Sequence, residues 1–201
     1  MKTIYKIIVL GVYQLLLIPH LFIYTVKYRS WGGAKLRLDI EHYKRHMGIN
    51  YGLWLSFVYL TFSQHQFRNI FFLRMGKIWR YLFFWTPPLS TLHIFTPSSQ
   101  IGGGLYIGHG WGTTINAQKI GKNFVVGQHC TIGSRNVKEP VIGDNVCIWA
   151  HCVVIGGITI GNNTNIGAGA VVVKSVPENC VVVPAKSNII KQNGERVCIP
   201  L

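Results

Sequence analysis

The chain has 201 residues, of which 49% are hydrophobic and 13% charged, and its 20 Lys and Arg against six Asp and Glu give a formal net charge of +14. This length suits one folded domain or one and a half. The positive charge is uneven, because residues 1–95 hold twelve Lys or Arg against Asp39 and Glu41. A basic, aromatic and apolar segment favours an anionic membrane surface as a partner. Since no nucleic-acid-binding motif accompanies it, we predict that the chain binds no nucleic acid.

The first candidate element is the run at residues 4–26, which is nearly all apolar but is interrupted by Lys6, Gln14, Pro19 and His20. The run is long enough to span a bilayer. The Pro-His pair argues against an uninterrupted transmembrane helix, and no small-residue cleavage site of the signal-peptide type is present. Three interpretations stay open: a helix buried against its own domain, a segment in the membrane interface, and a true span. Together with the basic charge, the run predicts a cytoplasmic protein held peripherally on the inner face of the cell membrane.

The next stretch predicts three helices. A Trp-Gly-Gly break at residues 31–33 precedes helices at residues 34–46, 50–62 and 66–85, and Pro87-Pro88 ends the last of them. In the third helix, basic residues alternate with aromatic and aliphatic ones. This pattern is typical of a core helix with a solvated face, and also of a helix that faces a membrane.

Residues 101–173 repeat every six positions. An aliphatic or near-aliphatic residue opens each unit, at Ile101, Ile107, Thr114, Ile120, Val126, Ile132, Ile142, Ile148, Val154, Ile160, Ile166 and Val172. One extra residue falls between Ile107 and Ile120, and four fall between Ile132 and Ile142. A period of six does not fit an amphipathic helix, whose apolar residues recur at about 3.6. It fits a parallel β-helix, in which each unit is one short strand and a turn, three units close a triangular coil, and the openers point inward.

The fourth residue of each unit falls at a predicted corner of the coil. These residues are Gly104, Gly110, Asn123, His129, Asn145, His151, Gly157, Asn163 and Gly169. Gly, Asn and His tolerate the left-handed backbone of a tight corner. Openers and corners therefore predict the same fold independently: a mainly β protein built on a parallel β-helix, preceded by a hydrophobic, basic α-helical region.

The chain divides accordingly into a helical region at residues 1–95, for which membrane association is one interpretation, and a β-helix domain with a C-terminal tail at residues 96–201. The tail, residues 189–201, is predicted to pack back on the coils. Five cysteines show no metal-binding spacing, and Cys130 and Cys152 fall on inward positions, where they serve as small hydrophobic residues. No disulfide framework is implied, which fits the cytoplasm.

Units of the form Ile-Gly-x-x-x-x with these corners resemble the left-handed hexapeptide-repeat acyltransferases. Within that superfamily the run is most similar to the serine O-acetyltransferase-like branch, and in particular to O-acetyltransferases of bacterial capsule and exopolysaccharide loci. The resemblance covers roughly the second half of the chain. It is carried by the segments Ile101-Gly-Gly-Gly-Leu-Tyr-Ile-Gly-His109-Gly, Thr131-Ile-Gly133, Ile166-Gly-Ala-Gly-Ala170 and Val183-Pro-Ala-Lys186. It implies left-handed coils and acyl transfer.

His109, between Gly108 and Gly110, is the candidate catalytic residue. An imidazole can take the proton from an acceptor hydroxyl that attacks a thioester, and in the resembled enzymes the matching histidine is that general base. The alternative is a histidine that only fills a turn. Together with His109, His129 and His151 fall on one side of the prism in successive coils, which suggests a zinc site like that of the hexapeptide-repeat carbonic anhydrases. Both occupy corner positions, and a neighbouring histidine pair spaced by five residues is absent, so we predict no metal.

The resemblance implies acetyl-CoA as the donor, with its pantetheine lying along the coils between subunits. Ser134, Ala150 and Ala168 match this path, and Lys174 and Lys186 match positions near the CoA phosphates. Ammonium groups suit phosphate as point charges, and the alternative for each lysine is a solvated surface charge. The resemblance also implies a homotrimer, in which the catalytic histidine of one subunit faces the donor contacts of its neighbour.

Three departures from the serine acetyltransferase pattern concern the acceptor. Gly108 stands where an aspartate precedes the histidine, Ile94 stands at the place of the dyad aspartate, and Glu139 stands at the place of a substrate-reading histidine. We therefore predict an acetyl-CoA-dependent O-acetyltransferase acting on a sugar hydroxyl of a bacterial polysaccharide or its glycolipid precursor. The alternatives are a serine O-acetyltransferase of cysteine biosynthesis and a non-enzymatic scaffold.

Overall fold

The computed structural model describes most of the chain, namely residues 11–12, 17–27, 29–185 and 188–200, apart from the side chains of Trp31, Leu82 and Pro200. The apolar run predicted at residues 4–26 is therefore described only in part, and Lys186, a predicted phosphate contact, lies outside the described residues. Within the described ranges, no helix combines the length and the apolar character that a bilayer crossing requires.

Within the described residues from Leu17 onward, five helices precede the coils: α1 (Ile18–Val26), α2 (Trp31–Met47), α3 (Leu53–Ser63), α4 (His65–Met75) and the short α5 (Trp79–Leu82). Pro19 lies in the first turn of α1, where the missing N–H removes no intrahelical hydrogen bond. The buried face of α1 consists of His20, Leu21, Ile23 and Tyr24. The proline that interrupts the apolar run therefore starts a helix that packs on its own domain.

The break predicted at residues 31–33 is wrong, because helix α2 starts there. The hydroxyl of Ser30 accepts a hydrogen bond of 3.2 Å from the Gly33 amide and caps the helix. Gly32 does not break the chain; it allows α2 and α4 to approach each other closely. A Cβ at this position would lie 2.3 Å from the carbonyl oxygen of Arg74 in α4.

The single helix predicted at residues 66–85 is also wrong. The chain leaves the helical conformation at Gly76, whose φ of 118° is one that side-chain-bearing residues rarely adopt. Helix α4 therefore ends at Met75, and α5 follows as a separate turn.

Thirteen strands build the coils: β1 (Leu92–Ile94), β2 (Tyr106–Ile107), β3 (Thr113–Ile115), β4 (Lys119–Ile120), β5 (Val125–Val126), β6 (Thr131–Gly133), β7 (Val141–Ile142), β8 (Cys147–Ile148), β9 (Val153–Ile155), β10 (Thr159–Ile160), β11 (Asn165–Ile166), β12 (Val171–Val172) and β13 (Val181–Val182). They pair in parallel in three sheets, ordered β1-β3-β6-β9-β12, β4-β7-β10 and β2-β5-β8-β11-β13. The sheets form the sides of a left-handed parallel β-helix of roughly five turns, which confirms the predicted fold class.

The chain closes with a hairpin of β14 (Asn188–Gln192) and β15 (Glu195–Pro200), which pair antiparallel. Most of the side chains described in the hairpin are exposed. The tail therefore buries little of its side-chain surface on the coils, in contrast to the packing predicted for it.

The inward ladder of openers is confirmed at eleven of the twelve predicted positions, which are at most 6% exposed. Thr114 is the exception. Thr113 and Ile115 are fully buried in its place, and Ile115 pairs with Ile132 in the next coil. Compared with the six-residue repeat, the chain has two extra residues between Ile107 and Ile115 and one residue fewer between Ile115 and Ile120. The sequence alone shows only the net excess of one.

One corner of the prism is a ladder of asparagines. Asn123, Asn145, Asn163 and Asn179 adopt φ angles of 55°, 56°, 56° and 58°, and each amide nitrogen donates to the next amide oxygen at 2.9, 2.9 and 3.0 Å. The left-handed backbone predicted for the corners is confirmed at every predicted residue except Gly157. There the positive φ falls on Gly156, at 105°.

Side chains from the helices cover the open edge of the first coil. The Asp39 carboxylate accepts hydrogen bonds from the Gly104 and Leu105 amides at 2.8 and 2.7 Å. Arg74 binds the same carboxylate at 2.8 Å and donates to the Gly102 carbonyl at 2.6 Å. Both charged side chains are fully buried. The backbone of residues 102–105 has no further coil to pair with on this edge. The bonds from Asp39 and Arg74 therefore satisfy backbone groups that would otherwise stay unpaired.

Two further residues of α2 complete this cap. His42 Nδ1 contacts the Gly104 carbonyl oxygen. The Tyr43 hydroxyl accepts from the Ile107 amide at 3.1 Å and donates to the Ile107 carbonyl at 3.0 Å. Burial raises the pKa of Tyr43 above its ordinary value, so the phenol stays neutral and keeps its donor proton. The helical region thereby fixes the coil that carries the candidate site.

Candidate active site

His109 lies on a two-residue insertion between two sheets. The inward residues Ile107 and Ile115 stand eight positions apart, whereas their counterparts Val126 and Ile132 in the next coil stand six apart. The extra residues project as a tight turn, in which the Gly110 amide donates to the Gly108 carbonyl at 2.8 Å. His109 at the centre of this turn has a φ of 63°. A hydrogen bond between residues two apart, with the central residue at positive φ, is a rare and strained turn that functional sites can hold.

The His109 side chain is exposed, and its ring lies 5.3 Å from the Trp111 ring at an interplanar angle of 20°. Within the part of the chain that the structure describes, no group forms a hydrogen bond with the imidazole. Trp111 is itself 52% exposed, so both rings of this stacked pair lie at the protein surface. Trp111 is thus the side chain beside the imidazole, at a position for which the sequence offers no aspartate. Sequence reasoning missed it, although a tryptophan two residues after the histidine was a visible signal.

The turn is packed from the helical side. A Cβ at Gly110 would lie 3.2 Å from the Cβ of Gln66 in α4 and 3.3 Å from Cδ2 of Leu92 in β1. Tyr43 holds the backbone of Ile107 immediately before the turn. The strained turn is therefore supported by three elements that lie far apart in the sequence.

His129 and His151 belong to a separate stack. Their rings lie 4.9 Å apart at 15°, and the His129 amide donates to the Trp111 carbonyl at 2.7 Å. Gly112, with a φ of 59°, continues this stack, because a Cβ there would lie 2.6 Å from His129 Nδ1. The insertion displaces His109 from the corner, so the prediction that the three histidines follow one another in successive coils holds only for the later two.

The described residues hold no group of three or more His, Cys, Asp or Glu side chains that could bind a metal ion. The inward positions predicted for Cys130 and Cys152 are confirmed, as both are fully buried. The Cys130 thiol donates to the Trp149 carbonyl at 2.9 Å and the Cys152 thiol to the Gly167 carbonyl at 3.1 Å. Both thiols are therefore enclosed in the interior of the coils.

The predicted donor contacts fall at two different corners. Ala150 and Ala168 follow β8 and β11 at the same sheet-to-sheet corner as His109, and the Gly169 amide donates to the Ala150 carbonyl at 2.9 Å. Ser134 and Lys174 lie at the other end of the adjoining sheet, after β6 and β12, and both are exposed. One chain thus brings His109, Ala150 and Ala168 into one row and leaves Ser134 and Lys174 across a face of the prism.

Comparison with known proteins shows what this repeat is similar to. Residues 139–174 match the family model described as bacterial transferase hexapeptide (six repeats). The serine acetyltransferase of Staphylococcus xylosus is 44% identical over 106 residues, covering 50% of this chain and 49% of the relative. That of Staphylococcus aureus is 43% identical over 106 residues, covering 50% of this chain and 50% of the relative. The chain therefore spans about half the length of the curated relatives it matches.

Two solved structures share the fold. The serine acetyltransferase of Neisseria gonorrhoeae in complex with serine has a TM-score of 0.59 and 22% identity, with 81% of this chain and 71% of that chain covered. Serine acetyltransferase 1 of Entamoeba histolytica in complex with L-cysteine has a TM-score of 0.60 and 20% identity, with 85% and 69% covered. These structures share the β-helix fold with this chain, and the match to the bacterial transferase hexapeptide model falls on residues 139–174 within it.

Proposed function

We propose that the protein is an acetyl-CoA-dependent O-acetyltransferase in which His109 is the general base. The observation that carries this proposal is the position of His109. It is the exposed centre of an inserted, strained turn, stacked on Trp111 and supported by Tyr43 and Leu92. Identity above 40% to serine acetyltransferases over the repeat region supports the same chemistry.

The reaction needs one residue that accepts and returns a proton. The imidazole of His109 accepts the proton of an acceptor hydroxyl while its oxygen bonds to the carbonyl carbon of the acetyl thioester. The carbon–sulfur bond then breaks, and the imidazolium returns the proton to the sulfur of CoA. Stacking on Trp111 holds the ring plane, and the glycines on both sides of His109 leave the approach open.

The donor is proposed to lie along the row of Ala150 and Ala168, whose small side chains keep the corner below His109 open. Ser134 and Lys174 lie across a face of the same prism, so they meet that row only if a neighbouring subunit contributes them. We therefore propose a homotrimer with its sites between subunits. Lys174 and Lys186 stay proposed phosphate contacts.

Two acceptors remain candidates. Serine is favoured by the relatives, which are named serine acetyltransferases, and one solved neighbour holds serine. A sugar hydroxyl of a bacterial glycan or glycolipid, our first prediction, has no support from these comparisons. It is favoured only by Gly108, Ile94 and Glu139, which stand where the resembled enzymes orient the base and hold serine. We rank serine first.

Peripheral membrane association is a further part of the proposal. It is supported by the exposed apolar stripe of Ile18, Phe22 and Val26 along α1, and by the surplus of cations in residues 1–95. Cell fractionation at low and high salt tests it. Recovery entirely in the soluble fraction at low salt would refute it.

Thiol release from acetyl-CoA, measured with L-serine and with glycan acceptors in turn, tests the proposed activity. His109→Ala is expected to lower kcat by about 10²- to 10⁴-fold, because general-base help contributes that much, while CoA affinity changes only a few-fold. The matched control is His129→Asn, which suits the same left-handed corner and should keep most of the activity. Full activity of His109→Ala would refute the mechanism.

A further inference from the structure

A cleft opens between helices α4 and α5 and the edge strand β1, on the helical side of the first coil. Its volume is about 260 Å³. Pockets that hold drug-sized ligands measure roughly 300–1,000 Å³, so the cleft is large enough for part of a small metabolite. The lining residues that matter are Asn69, Lys77, Arg80, Leu92, His93 and Phe95.

The cleft carries positive charge that no nearby acid neutralises. Lys77 and Arg80 are exposed, and among the described residues no carboxylate lines the cleft. The two acids of the helical region are engaged elsewhere, since Asp39 binds Arg74 and Glu41 binds Lys44. The other four acids follow residue 138, within the repeat and the tail. Two free cations at one opening attract an oxyanion, and the guanidinium can bind it with two parallel hydrogen bonds.

The wall of the cleft is fixed and reaches the His109 turn. The Asn69 carboxamide accepts from the Leu89 amide at 2.8 Å and donates to the Leu89 carbonyl at 3.1 Å, which ties the loop before β1 to helix α4. Leu92, at the start of β1, lines the cleft and also packs against the position of Gly110. One residue therefore separates the cleft from the turn that presents the imidazole.

The geometry of transfer gives this cleft a role. Ala150 and Ala168 lie in the coils that follow His109, so a donor along that row approaches the imidazole from the repeat side. An acceptor hydroxyl must then approach from the other side, which is the side of the helices. We infer that Lys77 and Arg80 bind the anionic group, phosphate or carboxylate, of the acceptor whose hydroxyl is acetylated. This inference rests on the proposed acetyl transfer and names its acceptor class.

Paired acceptors test it, each charged compound being matched with a neutral one: L-serine with L-serinamide, and N-acetylglucosamine 1-phosphate with N-acetylglucosamine. In Lys77→Ala/Arg80→Ala, KM for the charged member of the active pair should rise at least tenfold. The KM for acetyl-CoA, kcat, and the KM of the neutral member should stay within about twofold. Lys119→Ala, which removes an exposed cation from β4, is the control and should change none of these. The pair that responds identifies the anion as carboxylate or phosphate.

Binding without transfer separates the two proposals. Calorimetry with N-acetylglucosamine 1-phosphate, L-serine and inorganic pyrophosphate, in the absence of CoA, should give at least tenfold weaker binding of one of them to the double variant than to the wild type. His109→Ala should bind it as the wild type does. This result supports the cleft even if no acceptor is acetylated. Equal affinity and equal KM in wild type and double variant would overturn the inference. If the double variant misfolds, the same KM and binding measurements on Arg80→Gln, a milder change, test the inference.

Discussion

The two ends of the β-helix solve the problem of an unpaired strand edge in different ways. At the first coil, Asp39, Arg74 and Tyr43 bind backbone groups that have no further coil to pair with. At the last coil, the outer residues stay exposed, Val181 at 73% and Val183 at 71%, and the chain continues into an exposed hairpin. Only the covered end carries His109. The difference indicates that the helical region stabilises the site rather than the repeat as a whole.

The largest expected effect is at the buried ion pair of the covered end. Asp39→Ala leaves the Arg74 guanidinium without its carboxylate and frees two backbone amides, so we expect a loss of about 3–5 kcal/mol in the free energy of unfolding. Urea denaturation measures it. Glu41→Ala, which breaks the exposed pair with Lys44, is the control and should cost less than about 1 kcal/mol. Equal losses in the two variants would contradict the cap.

Acid should weaken the same end. Desolvation, with Arg68 adding to it, lowers the pKa of buried His20 from 6.5 to about 4. Between these values the unfolded chain binds a proton that the folded chain does not, so stability falls as pH decreases from 6.5 to 4, by about 3 kcal/mol. In His20→Leu this part of the loss should vanish. Identical pH profiles of unfolding for His20→Leu and wild type would refute the assignment.

A smaller loss in the free energy of unfolding is expected at Tyr43, where the helical cap contacts the strand before the His109 turn. Tyr43→Phe removes the hydroxyl that serves both the amide and the carbonyl of Ile107, at a cost of about 1–3 kcal/mol. Hydrogen exchange of the Ile107 amide should accelerate, and kcat should fall because the His109 turn loses its support. The control is Tyr59→Phe, a partly buried residue of α3 whose hydroxyl has no hydrogen bond among the described residues. Unchanged exchange at Ile107 would show that the hydroxyl is dispensable.

The smallest effect is expected at the uncovered end. Deleting residues 188–201 removes a hairpin that is mostly exposed, so the free energy of unfolding should change by less than about 1 kcal/mol. Thermal or urea unfolding of the truncated chain measures the difference. A loss comparable to that of Asp39→Ala would mean that the last coil depends on the hairpin as the first depends on the helices.

Local rules explain which parts of this structure the sequence could predict. The inward Ile148 and the left-handed Asn145 follow from strand alternation and from the backbone preference of asparagine, which act within a few residues. Thr114 was wrongly assigned as an inward residue because the sequence shows only a net excess of one residue between Ile107 and Ile120. It does not show that two residues are added before the inward position and one is missing after it. The close contact at Gly32 depends on a helix about forty residues away. Such long-range contacts have no local signature.

At the candidate site the same limit applies. His109 was identified from its glycine neighbours and from the resemblance, and its position at the centre of the turn agrees with that choice. Its stacking on Trp111 and the support from Tyr43 were not predicted, because the first needs the course of the insertion and the second needs the docking of α2. The roles of Ser134, Ala150, Ala168 and Lys174 stay predictions.

The covered first coil also implies an order of assembly. In a solenoid each coil contacts only its neighbours, so an early coil can serve as the template for the next. During synthesis the helices leave the ribosome before the repeats, and Asp39 and Tyr43 are then in place when residues 102–107 emerge. We therefore expect the β-helix to grow vectorially from its helical end, coil upon coil, with the His109 turn among the first parts of the prism to take shape.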